Sequence, residues 1–142
     1  MSAINNVQDE IIDEFLGLSD WMDKYAYIIE LGNAVEPIEE KFKTPDNIIE
    51  GCQSRVWLVA EEKDGKIEVR ADSDAIIVKG LISLLIRVLS GHSPKEILDA
   101  DLYFMKEIGL QEHLSPTRSN GLLAMIKQMR VYALAYDAKL KM

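Results

Sequence analysis

The 142-residue chain holds one cysteine, Cys52, in the stretch IIEGCQSRVWL. A thiolate is a strong nucleophile, and its setting decides what it can do. Gly51 before it gives the backbone the freedom of a tight loop. Gln53 and Ser54 after it are polar, so the thiol does not sit in the middle of an apolar strand. One cysteine cannot form an internal disulfide, run dithiol chemistry or scaffold an iron–sulfur cluster. With only His92 and His113 to help, it also cannot complete an ordinary zinc site, which takes about four ligands. Neither histidine stands in a nucleophile motif that would make Cys52 a hydrolase residue.

One chemistry needs a single thiol and nothing else from the chain. A thiolate can attack a sulfur–sulfur bond on a partner and keep the outer sulfur as a persulfide. Glu50 beside the cysteine disfavours the thiolate, whereas Arg55 favours it, as would Arg118 if the fold brings it near. The expectation is a thiol that is quiet in the free protein and activated on docking. Two plainer readings stay open: Cys52 as a small buried hydrophobe, and Cys52 as a peroxide-sensing thiol.

The elements that must position this thiol follow from periodicity. Helical spacing predicts a first helix over 6–16, with Asn6 as its cap and Ile11, Ile12, Phe15 and Leu16 buried. A second helix starts at Ser19, with Asp20 and Asp23 near its positive end, buries Trp21, Tyr25, Ile28 and Ile29, and stops at Gly32. Residues 33–44 read as loop plus a short helix, and TPDN as a turn. SRVWLVAEE alternates as a strand, Asp64-Gly65 signals a hairpin, and KIEVRAD returns. NIIEG, before the cysteine, adds a short third edge strand.

Ser73 or Asp74 then caps an apolar helix that Gly91 closes. Gly80 inside it costs about 1 kcal/mol relative to alanine, which predicts close packing against a neighbour. SPKE is a capping box on Ser93 and Glu96, and a short helix follows near 101–108. The last long helix opens at Ser115-Pro116, and the Ala- and Lys-rich tail extends it. Arg118 in its first turn opposes the helix dipole. Either a surface acid neutralises it, or the position is functional. Asp74 likewise is either a helix cap or a contact residue. The expected architecture is α+β, a single domain over 1–142, with a small antiparallel sheet of about three strands packed against several helices.

Composition narrows the partners. The net charge is −8 and the sequence pI about 4.8, which argues against nucleic acid and anionic membranes. The N-terminus lacks a basic start and apolar run, and the most apolar stretch is broken by Lys79 and Arg87. The chain is therefore expected to be cytoplasmic.

Four segments carry a resemblance: KYAYIIELG (24–32), GCQSRVW (51–57), DSDAIIVKGL (72–81) and HLSPTRSNGL (113–122). In order and spacing they resemble the SufE family, sulfur acceptors of the Suf iron–sulfur assembly system, and its relative CsdE. The resemblance implies an α/β fold similar to the scaffold IscU. It also implies that Cys52 takes sulfane sulfur from a SufS-type cysteine desulfurase, which it stimulates, and passes it to a SufBCD scaffold. A CsdA-like donor fits the same motifs, and so does an adaptor that regulates a desulfurase without chemistry of its own. By the same resemblance Asp74 and Arg118 are contact or sulfur-steadying candidates, while Gly51, Gln53 and Ser54 shape the loop. No cofactor and no metal are expected in this chain; pyridoxal phosphate would belong to the desulfurase. Whether the chain is a homodimer stays open. Arg55 and Ala71 depart from the residues usual at their positions in relatives.

Overall fold

The computed structural model of the chain describes residues 3–49 and 55–140, with the backbone only for Gln111. Helices α1 (Ala3–Leu16) and α2 (Trp21–Asn33) come first. A hairpin of β1 (Val56–Lys63) and β2 (Lys66–Ser73) follows, and then α3 (Ile76–Leu89), α4 (Pro94–Asp99), α5 (Phe104–Glu107), α6 (Leu110–His113) and the long α7 (Pro116–Leu140). The architecture is α+β, as expected.

The hairpin pairs Val56 with Ser73 and Lys63 with Lys66. Asp64 and Gly65 both take positive φ, 55° and 82°, which suits the tight turn predicted at that dipeptide. Alternation puts Val56, Leu58, Val69 and Ala71 on the buried face. Helix α3 packs against β2 and α7 against β1, where the Tyr136 hydroxyl donates to the Ala60 carbonyl. The opposite face, with Trp57, Asp72, Val59 and Arg70, is covered by the segment after α2: Lys43 lies over the Trp57 ring and Arg70 over Phe42.

The expected third strand is reduced to a bridge between Ile48 and Trp57 and one hydrogen bond, from Ile49 N–H to Val56 O at 2.9 Å. A 3₁₀ turn at Pro45–Asn47 delivers the chain to the sheet edge, so only two described residues run beside β1. The rest of that stretch, Glu50 and Gly51, lies outside the described residues, as do Cys52, Gln53 and Ser54.

Several boundaries differ from expectation for local reasons. Helix α1 begins by Ala3, so Asn6 is inside it rather than at its cap. Its buried stripe is Ile4, Gln8, Ile11 and Phe15, and Leu16, about 100° further round, is 71% exposed. The cap of α2 is Asp20, whose carboxylate accepts from Asp23 N–H, while the Ser19 hydroxyl donates to Asp23. Of its expected buried face, Ile28 is fully buried and Trp21, Tyr25 and Ile29 are half-buried. Gly32 does not stop the helix, which runs to Asn33. It lies where α2 and α3 touch: a Cβ there would sit 2.8 Å from Gly80 N. Gly80 is the tighter of the two, since its Cβ would overlap the Ile28 carbonyl oxygen. The glycine that looked costly in a helix is thus set by backbone-to-backbone contact. Farther on, Gly91 closes α3 at φ 83°, the Ser93–Glu96 capping box is present, and two short helices replace the one expected near 101–108.

The α2–α3 contact predicts the sign of one substitution. Gly80→Ala gains about 1 kcal/mol of helix propensity but must push two backbones apart at a cost of about 3 kcal/mol, so a net loss of about 2 kcal/mol is expected. A lowered thermal midpoint in calorimetry is the check; a rise would show that the contact is not tight.

Candidate functional site

The cysteine itself lies outside the described residues, but both ends of its segment are fixed. On the incoming side Ile49, 4% exposed, donates its N–H to Val56 O. On the outgoing side Arg55 is held at three points. Its N–H donates to Asp74 Oδ1 at 3.1 Å, and its carbonyl accepts from the Ser73 hydroxyl at 2.8 Å and from Asp74 N–H at 3.3 Å. Ser73 Oγ also accepts from Ala75 N–H.

These contacts revise the expected role of the Asp-Ser-Asp segment. The N-cap position of α3 is Ala75, which has no side-chain cap. Neither Ser73 nor Asp74 caps that helix, because both side chains are turned onto the chain at Arg55. The physical reason is that Arg55 and Asp74 lie one step past the Val56–Ser73 pair, where the Asp74 backbone supplies only a donor to the Arg55 carbonyl, so the Arg55 N–H takes the Asp74 carboxylate instead.

Asp72 has a different task. Its side chain is 4% exposed, opposite Trp57 in the sheet register. Oδ1 accepts from Ser73 N–H at 2.8 Å and faces the Lys79 ammonium at 3.2 Å, while Oδ2 faces Lys43 at 3.6 Å. Burial by itself would raise the Asp72 carboxyl's pKa. The Ser73 N–H and the two ammonium groups outweigh it and hold the carboxyl below its ordinary value. Asp72 opens the DSDAIIVKGL segment, but its role has only a weak local signal, a charged residue at a position that alternation assigns to the outer face, opposite a tryptophan.

Arg118 is exposed in the first turn of α7. Its N–H donates to the Ser115 hydroxyl at 3.3 Å, so Ser115 caps the helix as expected. Of the two readings of this cation, the surface ion pair is not seen: among the described residues its guanidinium has no acidic partner. It borders a cavity of about 400 Å³ whose walls include Val56, Ala75, Leu81, Leu122 and Met125. The base of the cysteine segment, the start of α3 and the start of α7 therefore meet at one cavity. The structure brings Arg118 to it, with Asp74 one residue before a lining position, and pairs the two with each other nowhere among the described contacts. Helix α2 steadies the turn before Arg118: Trp21 stacks on His113 with ring centroids 4.0 Å apart, and the Tyr25 hydroxyl donates to the His113 carbonyl.

Neither histidine borders this cavity. The His92 backbone pairs with Ile67, near the turn end of the hairpin and so away from Arg55. What the described site offers is an apolar hollow, an unneutralised arginine and a rigidly held loop base.

Residues 9–133 match the family model described as "SufE: Fe-S metabolism associated domain". The chain belongs to the SufE family. Its similarity to an uncharacterised SufE-like protein of Rhizobium etli is 42% identity over 127 residues, 86% of each chain. The fold is similar to the solution structure of a hypothetical protein from Thermus thermophilus, with a TM-score of 0.74 and 22% identity, covering 91% of this chain and 94% of that one. As a SufE protein the chain has a role in iron–sulfur metabolism. No helix among its described residues is long and apolar enough to cross a membrane.

The buried carboxylate makes a pH prediction. The Asp72 pKa is lowered on folding, so its contribution is present above the unfolded value of about 3.9 and is lost as pH falls through the folded value. Asp72→Asn is expected to cost about 2 kcal/mol near neutral pH, and the gap from wild type should close below about pH 4. Urea unfolding across pH 2.5–7 tests this; a gap that widens in acid has the wrong sign.

Proposed function

We propose that this SufE protein is a sulfur acceptor and carrier, with Cys52 as the acceptor thiol. The donor is a persulfide on a pyridoxal-phosphate cysteine desulfurase of SufS or CsdA type. The Cys52 thiolate attacks the terminal sulfur of that persulfide. A new S–S bond forms on Cys52, the donor's S–S bond breaks, and the donor cysteine leaves as a thiolate. The proton given up by Cys52 is returned to the donor side or to water. The transferred sulfur keeps its oxidation state, so neither oxidant nor reductant is consumed. The carrier then passes the sulfur to a SufBCD-type scaffold, and docking on the desulfurase stimulates that enzyme.

One observation carries this reading: the segment bearing the chain's only thiol is anchored at both ends beside an apolar cavity bordered by Arg118, whose guanidinium has no acidic partner among the described residues. A persulfide is less hydrated than a carboxylate and is readily cleaved by other thiols. An apolar hollow with a cation at its edge suits such a group better than open water does. Arg118 is proposed to steady the sulfur or the donor surface. Asp74 is proposed to act by fixing the loop base at Arg55, which sets the direction in which the segment leaves. The exposed Arg55 side chain would meet the partner directly.

Intact-mass measurement decides the matter. With a desulfurase and free cysteine, the wild-type chain should gain the mass of one sulfur atom, removed by reductant, and Cys52→Ser should gain nothing. A Cys52→Ser chain that still stimulates the desulfurase fully would instead make the protein a regulatory adaptor. Arg118→Ala should slow sulfur uptake by roughly tenfold or more, the scale of one charge-assisted contact, with the thermal midpoint unchanged.

A further inference from the structure

The two stems of the cysteine segment are held in different ways. The outgoing stem is in the sheet, and Ser73 and Asp74 fix its first residue. The incoming stem, residues 40–49, has no regular strand, and its secondary structure is two 3₁₀ turns. Ile49 is the one buried side chain in that stretch. Without further restraint such a segment would sit at the low-stability end of the molecule.

Its restraints converge on one carboxylate. The Lys43 ammonium lies 3.6 Å from Asp72 Oδ2 and over the Trp57 ring at 5.3 Å. Lys79, on α3, reaches the other oxygen of the same carboxylate from the far side of the chain. The incoming stem, the end of β2 and the helix under the cavity are thereby joined through a group that is almost fully buried. Lys43 also meets Glu40, but that carboxylate is 88% exposed and adds little restraint. An Asn47 side-chain N–H donated to Phe42 O at 2.7 Å stiffens the stem from Phe42 to the bridge at Ile48. A displacement of Lys43 is therefore transmitted to Ile49, and so to the point where the cysteine segment begins.

We propose that Asp72, with Lys43 and Lys79, is a positioning cluster that fixes the incoming stem against the hairpin and so sets how Cys52 is presented. The cluster acts through the backbone and touches no reacting atom. The proposal rests on Cys52 being the acceptor thiol only for its biological meaning; the structural claim can be tested on the free protein.

The probe is iodoacetamide, with Cys52 alkylation followed by intact mass, since the chain has no other cysteine. A freer stem lets the segment sample more conformations in which a reagent can attack, so Lys43→Met is expected to raise the rate on the order of threefold to tenfold. Lys43→Arg, which can still reach the carboxylate, should stay near the wild-type rate. Asp72→Asn should raise the rate as Lys43→Met does, and the double variant should go no further. The pH midpoint of the alkylation profile should stay where it is in wild type, because position and not thiol acidity has changed. A Lys43→Met rate within twofold of wild type, additive effects in the double variant, or a shifted midpoint would each overturn the proposal. All rates are read below the lowest thermal midpoint of the set, so that global unfolding does not contribute. Sulfur uptake from a desulfurase is measured in parallel on wild type. Its absence would sink the acceptor reading while leaving the alkylation result intact; normal uptake with unchanged alkylation in Lys43→Met would sink the cluster alone.

Discussion

A carboxylate at the end of β2, taken almost wholly out of water, must be matched by positive charge and hydrogen-bond donors or it would protonate. Asp72 is matched by its neighbour's N–H and by two lysines from separate parts of the chain. That requirement organises the open end of the hairpin. It draws the segment after α2 across the outer face of the sheet and ties α3 to the strand it follows. With the next two residues turned onto Arg55, three consecutive side chains do three separate jobs within one short stretch.

Around this end the rest of the fold supplies a stiff frame. The α2–α3 contact leaves no room for a side chain at Gly80, so the helix that walls the cavity cannot drift from its neighbour. The Glu14–Arg87 pair, with Glu14 Oε2 2.6 Å from the guanidinium, ties α1 to the same helix, and the hydrogen bond from Arg87 holds the Glu14 carboxyl below its ordinary range. The buried side of the hairpin rests on α3 and α7. A loop base fixed on such a frame can present one reactive group in a reproducible place while the group itself changes partners.

The chemistry assigned to the site asks little of the chain that carries it. Transfer of a sulfane sulfur between thiols needs a nucleophile, a leaving thiolate and contact between two proteins. An acidic chain with one cysteine can do this if its local surroundings tolerate an anion, and Arg118, with no acidic partner among the described residues, is suited to that. The likeness to a solved structure at 22% identity shows how far sequences can diverge on this frame. A buried hydrophobic core accepts many substitutions of similar volume.

The sequence by itself determined the elements whose signals are local. Alternation marked β1 and β2, Asp64-Gly65 marked their turn, Ser93 and Glu96 marked a capping box, and Gly80 marked a close approach. It also singled out Cys52, because a lone thiol excludes most cysteine chemistry by counting, and the order of four segments pointed to the SufE family. Other features depended on where distant residues arrive. Gly32 reads as a helix stop until Gly80 is seen beside it, Leu16 reads as buried until the rotation of α1 is known, and Ser73 and Asp74 read as caps until Arg55 offers them better partners. Nothing in their local sequence brings Lys43, Asp72 and Lys79 together. Their meeting is fixed only by tertiary packing, since burial is what turns three ordinary surface charges into a cluster whose members cannot be separated without cost.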